Sequence, residues 1–138
     1  MQLVAQLILS TRARKWTWSA FAAVFFVHLF LLYSPSTGAP APFPGFDKLA
    51  HAVGFTALTT PLLLLGFRPG QTMLAMSAYA ALSEFIQAFA VPGRTGEVSD
   101  WVADSLGILL AFGIWRALPK GDPLLGEDDE PPASPRWP

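Results

Sequence analysis

Residues 71–91 read QTMLAMSAYAALSEFIQAFAV. As a helix, a run of about 21 residues crosses roughly 30 Å, the thickness of a bilayer's hydrocarbon layer. Its composition fits such a span, apart from Glu84 and Gln87. An ionisable group inside a span costs about 2.5–3.5 kcal/mol at mid-bilayer and less near the interface. Glu84 and Gln87 are one turn apart on one helical face, in the last two turns. They are therefore expected to face other helices rather than lipid. This one stretch predicts an all-α membrane protein with a polar interior at one end.

The rest of the chain repeats the pattern. Apolar runs occur from about Trp16 to Tyr33, Asp47 to Phe67 and Ser99 to Leu118. With the stretch above they make four spans of about 18–21 residues, the length a bilayer needs. Trp16, Trp18 and Tyr33 mark the ends of the first run, and Trp101 and Trp115 those of the last, as interfacial aromatic belts do. Hydrophobic residues are 52% of the chain and charged residues 14%; soluble domains carry about 25% charge. The expected fold is an integral-membrane four-helix bundle in one domain, residues 16–118.

Breakers divide the runs. Pro35, Pro40, Pro42 and Pro44 keep the segment from Ser34 to Phe46 from being helical throughout. Arg68-Pro69-Gly70 is expected to form a tight turn that makes spans two and three antiparallel neighbours. Pro92-Gly93 ends the third span and Pro119 the fourth, while Pro61 is expected to kink the second. Residues 1–15 place Leu3, Val4, Leu7 and Ile8 on one face of a short interfacial segment. A secretory signal ending near Ala39-Pro-Ala41 is the rival reading of the N-terminus. The acidic, Pro-rich tail, 119–138, is expected to be disordered.

Lys and Arg in the short flanks set the orientation. Arg12, Arg14, Lys15, Arg68, Arg116 and Lys120 fall on one side of a four-span topology, and Lys48 and Arg94 on the other. Both termini are therefore expected to be cytoplasmic. No basic stripe points to nucleic acid. The chain has no cysteine, which excludes disulfides and thiolate metal sites.

The remaining polar residues converge. Asp47 and Lys48 open span two, with His51 one turn deeper and Phe55 on the same face. Glu84 and Gln87 close span three, and Arg94 follows in the loop. Glu97, Asp100, Asp104, Gly107 and Ala111 form a stripe on span four. From helix rise, His51 and Asp104 lie roughly 6 Å below their helix ends and Glu84 roughly 10 Å. Three helices thus deliver polar groups to one shallow outer layer. Its candidate ligand-binding residues are Asp47, Lys48, His51, Glu84, Gln87, Arg94, Asp100 and Asp104. The candidates for chemistry are His51, Glu84 and Asp104. Arg94 is expected to fold back and neutralise Glu84, the deepest carboxylate. Structural roles compete with these: Asp47, Ser99 or Asp100 as helix caps, Glu97 as exposed loop, Lys48 snorkelling to the interface, His28 facing the bundle, and Ala103, Gly107 and Ala111 as a close-packing stripe.

Asp47-Lys48-x-x-His51-x-x-x-Phe55, Glu84-x-x-Gln87, Gly93-Arg94 and Asp100-x-x-x-Asp104-x-x-Gly107 together resemble the VanZ-like membrane proteins over about residues 45–115. The family pattern usually has Asn where this chain has Asp104. The resemblance implies a small multi-pass protein of the bacterial cell (inner) membrane. It also implies a link to the cell envelope, since the family is named for a protein that lowers susceptibility to the glycopeptide teicoplanin. Three functions compete. The first is recognition of an envelope component, such as a lipid-linked precursor or a lipid headgroup. The second is an enzyme on a lipid-linked substrate, with His51 as base or nucleophile and Glu84 or Asp104 as acid or orienter. The third is a proton- or cation-coupled transporter. The paired basic motifs of lipid phosphatases are absent, and so is the span-one Glu of small multidrug transporters. A His, a Glu and an Asp also suit a divalent ion, but the sequence assigns no metal and no cofactor.

Overall fold

The structure is a computed structural model that describes residues 10–36, 38 and 40–118. The expected N-terminal segment, apart from its last residues, and the expected tail lie outside the described residues. Four α-helices and no strand occur among the described residues: α1 (Thr11–Tyr33), α2 (Phe46–Leu64), α3 (Pro69–Ala90) and α4 (Val98–Ala117).

Local chemistry sets the ends. Helix α1 begins five residues before Trp16 because the Ser10 hydroxyl accepts from the Ala13 amide and caps it. Arg12, Arg14 and Lys15 therefore ride on its first turns. The tight turn expected at Arg68-Pro69-Gly70 falls earlier. Helix α2 stops at Leu64, Gly66 takes φ 89°, and Pro69 occupies the first turn of α3, where its missing N–H costs nothing. Pro61 is accommodated within α2.

Helices α1, α3 and α4 are each long and apolar enough to cross a membrane. Helix α2 is not among them, since it opens on Asp47, Lys48 and His51 and carries Thr56, Thr59 and Thr60. It is also the central helix, packed on all three others and most extensively on α4. A helix surrounded by helices does not need a uniformly apolar surface.

The core is a cluster of Phe55, Leu58, Met76, Ala80 and Ile108, with Phe21, Phe25 and Tyr79 against it. His28 faces this bundle and stands edge-on to the Phe55 ring, 5.1 Å between centroids. The outward face is apolar too: Phe89 is 78% exposed, Leu74 73% and Phe30 72%. So much uncovered hydrophobic surface is what a bilayer, not water, stabilises.

Close approach of α2 and α4 depends on Gly107. A Cβ there would stand 2.2 Å from the Ala52 carbonyl oxygen. The Thr56 hydroxyl bridges the same crossing, 2.7 Å from the Ala52 carbonyl and 2.9 Å from that of Gly107. This is the small-residue packing expected of membrane helices. It sets α4 against α2 at the depth of His51 and Asp104.

Candidate functional site

The polar residues gather where the N-termini of α2 and α4 meet the C-termini of α1 and α3. His51, one turn into α2, places Nδ1 2.9 Å from Oδ1 of Asp104 on α4. Oε1 of Glu84 on α3 is 3.9 Å from the same nitrogen. Oδ2 of Asp100 is 4.0 Å from Nε2, on the other edge of the ring. All four residues are buried, Asp104 completely. The imidazole is thus ringed by three carboxylates from two helices.

Nearer the surface, Lys48 gathers the outer acids. Its Nζ is 3.1 Å from Asp47 and 2.9 Å from Glu97, and it also contacts Oδ1 of Asp100. Glu97 is exposed, as expected of a loop residue, yet it is a member of this network. Hydrogen bonds from Lys48 and then Ser99 hold its carboxyl below the usual carboxylate range.

Glu84 and Arg94 do not pair. Oε2 of Glu84 accepts the Glu97 amide at 2.9 Å, which ties α3 to the residue that precedes α4. Arg94 turns to the end of α1 instead. Nε donates to the Ser34 carbonyl at 3.1 Å and Nη2 to that of Leu31 at 2.9 Å. Gln87 does the same from α3, donating from Nε2 to the Leu32 carbonyl at 2.8 Å. A helix C-terminus has unsatisfied carbonyls and negative dipole character, so a guanidinium is drawn there when the carboxylate already has a donor.

Neither helix cap expected from side chains in α2 and α4 is made. Gly45 stands at the N-cap of α2, with Asp47 in the first turn, and Glu97 stands at that of α4. Sequence reasoning missed Gly96 and Thr56. A Cβ at Gly96 would stand 2.3 Å from the Glu84 carbonyl oxygen, so only glycine lets the loop lie on the last turns of α3. A glycine two residues after Arg94 was the available signal. Thr56 carried none, because a threonine in a span looks like any other.

Two cavities adjoin the cluster. A groove of about 540 Å³ runs between α1 and α2, with walls of Val24, Val27, Leu31, Val53 and Ala57. Asp47, His51 and Arg94 line it as well. A smaller polar pocket of about 140 Å³ is lined by Ser36, Asp47, Gln87, Arg94, Glu97 and Asp100. Asp47 and Arg94 belong to both walls.

Helices with apolar outward faces around a buried acid–imidazole cluster define a small helical membrane protein with a polar centre at one end. The chain matches the family described as VanZ/LLP1 over residues 2–119, and it belongs to that family. No curated protein and no solved structure matches it significantly.

Proposed function

We propose that this protein recognises an amphiphile of the cell envelope, a membrane lipid or a lipid-linked precursor, at the outer face of the bacterial inner membrane. The observation that carries the reading is that the two cavities share wall residues. An apolar groove of about 540 Å³ suits an acyl or isoprenoid chain, and it shares Asp47 and Arg94 with the polar pocket that would take the headgroup. In this reading Asp47, Lys48, His51, Gln87, Arg94 and Asp100 form the headgroup end, and Glu84 and Asp104 hold His51 in place. The same reading has both termini cytoplasmic, as the distribution of Lys and Arg favours, which puts the polar end outside. A contribution to teicoplanin susceptibility would follow if the bound amphiphile is a target or carrier of that lipid-tailed antibiotic.

Native mass spectrometry of the full chain, purified in a mild detergent from bacterial membranes, tests this. The wild type should retain a lipid-sized adduct, and Ala57→Trp, which fills the groove wall, should lose it. A wild type without an adduct, or a variant with the same one, sinks the reading.

The His51–Asp104 contact favours a second reading, an enzyme on a lipid-linked substrate. A carboxylate on one ring nitrogen orients an imidazole for proton transfer. Conversion of the bound species on incubation, abolished in His51→Gln, would replace recognition by catalysis.

A further inference from the structure

We propose that His51, Glu84 and Asp104 bind a divalent transition-metal ion of the zinc or manganese class. The three residues come from α2, α3 and α4, and one donor atom from each lies within 4.8 Å of the other two. The distances from Nδ1 of His51, 2.9 Å to Asp104 and 3.9 Å to Glu84, bracket the separation that ligands take around such an ion. Bonds of about 2.0–2.2 Å place neighbouring donors roughly 3.0–3.4 Å apart.

The second observation concerns valency. Oε1 of Glu84 and Oδ2 of Asp104 are both buried without a hydrogen-bond partner. Glu84 is 8% exposed and Asp104 0%. Buried carboxylate oxygens are normally satisfied, so these two, on the two side chains that approach His51 Nδ1, point to an acceptor of lone pairs.

The third is charge. Among the described residues, the ion pairs of Glu84 and Asp104 are with His51 alone. Lys48 is engaged by Asp47, Glu97 and Asp100, and Arg94 by the carbonyls of α1. Two carboxylates and a neutral imidazole match a divalent ion in charge. One imidazole with two carboxylate oxygens is a donor set suited to zinc or manganese. It leaves at least one coordination position for water or a ligand oxygen.

A rival trio, Asp47, His51 and Asp100, lies on the other edge of the ring. Lys48 already sits on both of those carboxylates, and Asp47 is exposed. The inner trio is therefore the site. The outer shell is in place around it: Glu84 is steadied by the Glu97 amide, and Asp100 faces Nε2 of His51. The proposal does not depend on what fills the groove.

The test uses the full chain in detergent, stripped with a chelator and titrated with Zn²⁺ and Mn²⁺ alone, without lipid. Calorimetry should show saturable binding at one site per chain. Bound Mn²⁺ should show nitrogen hyperfine coupling from the imidazole in pulsed electron paramagnetic resonance. Glu84→Gln and Asp104→Asn should bind at least about 100-fold more weakly, beyond the 10–100-fold typical of losing an outer-shell partner. Gly113→Ala, nine residues past Asp104 on α4 with nothing within 4 Å of the added carbon, should bind as the wild type does. Folded wild type that binds neither ion overturns the proposal, and so does bound Mn²⁺ without nitrogen coupling. Undiminished binding by folded Glu84→Gln and Asp104→Asn also overturns it. The wild-type measurements decide the matter even if these variants fail to fold.

Discussion

Gly107 lies so close to Ala52 that a methyl group on its Cα would stand 2.2 Å from the Ala52 carbonyl oxygen. Three residues earlier on α4, Asp104 meets His51, which precedes Ala52 on α2. The gap between the two backbones and the contact between the two side chains are one geometric fact. If the helices separate, the imidazole loses its carboxylate.

Gly107→Ala should therefore disturb both. Overpacking a tight contact costs about 1–3 kcal/mol, and here the obstacle is backbone. The melting temperature in detergent should fall by several degrees. Gly113→Ala, six residues on with nothing within 4 Å of the added carbon, is the control. It should melt at or above wild type, because alanine is about 1 kcal/mol better than glycine inside a helix. Equal melting of wild type and Gly107→Ala would show that the crossing is looser than described.

Arg94 serves α1 and not Glu84. Arg94→Ala removes two charge-assisted hydrogen bonds, each worth about 1.5–3 kcal/mol at most, and less at this partly exposed position. Melting should drop accordingly. Adding Glu84→Gln should not restore it, because the two side chains share no contact. A double-mutant cycle on thermal melts should come out additive within about 0.5 kcal/mol. Strong compensation would mean that the guanidinium does reach the carboxylate.

Lys48 and Glu97 give a pH signature outside the membrane core. The Glu97 carboxyl titrates below its ordinary range because Lys48 hydrogen-bonds to it. A depressed carboxylate contributes stability that is present above its unfolded value and lost as pH falls through the folded one. Glu97→Gln should thus melt slightly below wild type at neutral pH and converge with it as the medium is acidified past the ordinary carboxylate range. The difference should also shrink in about 1 M salt, where exposed pairs are screened. A gap that widens in acid would contradict the assignment.

Thr95 and Gln71 stand at opposite ends of α3, just after its last turn and in its first. If the termini are cytoplasmic, Thr95→Cys in intact cells should react with a membrane-impermeant maleimide and Gln71→Cys should not. Both positions are exposed, so burial would not mask the result. Labelling at Gln71 alone would invert the topology.

Much of this protein follows from its sequence alone. Helix number and the apolar character of the runs were legible because period and composition are local properties. The identity of the polar end was legible too. Asp47, His51, Glu84 and Asp104 sit at helix depths that a rise of 1.5 Å per residue fixes without any packing information. The family pattern lay in the same residues. What the sequence could not decide was who pairs with whom. Arg94 follows Glu84 by ten residues and looks like its partner. The choice between a carboxylate and the open carbonyls of α1 depends on how far each lies from the guanidinium, and that is set by the crossing of helices distant in sequence. Gln87 was drawn to Leu32 for the same reason. The central place of α2, the helix not among the candidate membrane spans, also required the tertiary structure, since composition tells how polar a helix is but not which neighbours shield it. Hydrophobic periodicity acts along one helix; pairing acts between helices, and only their packing brings His51, Glu84 and Asp104 to one point.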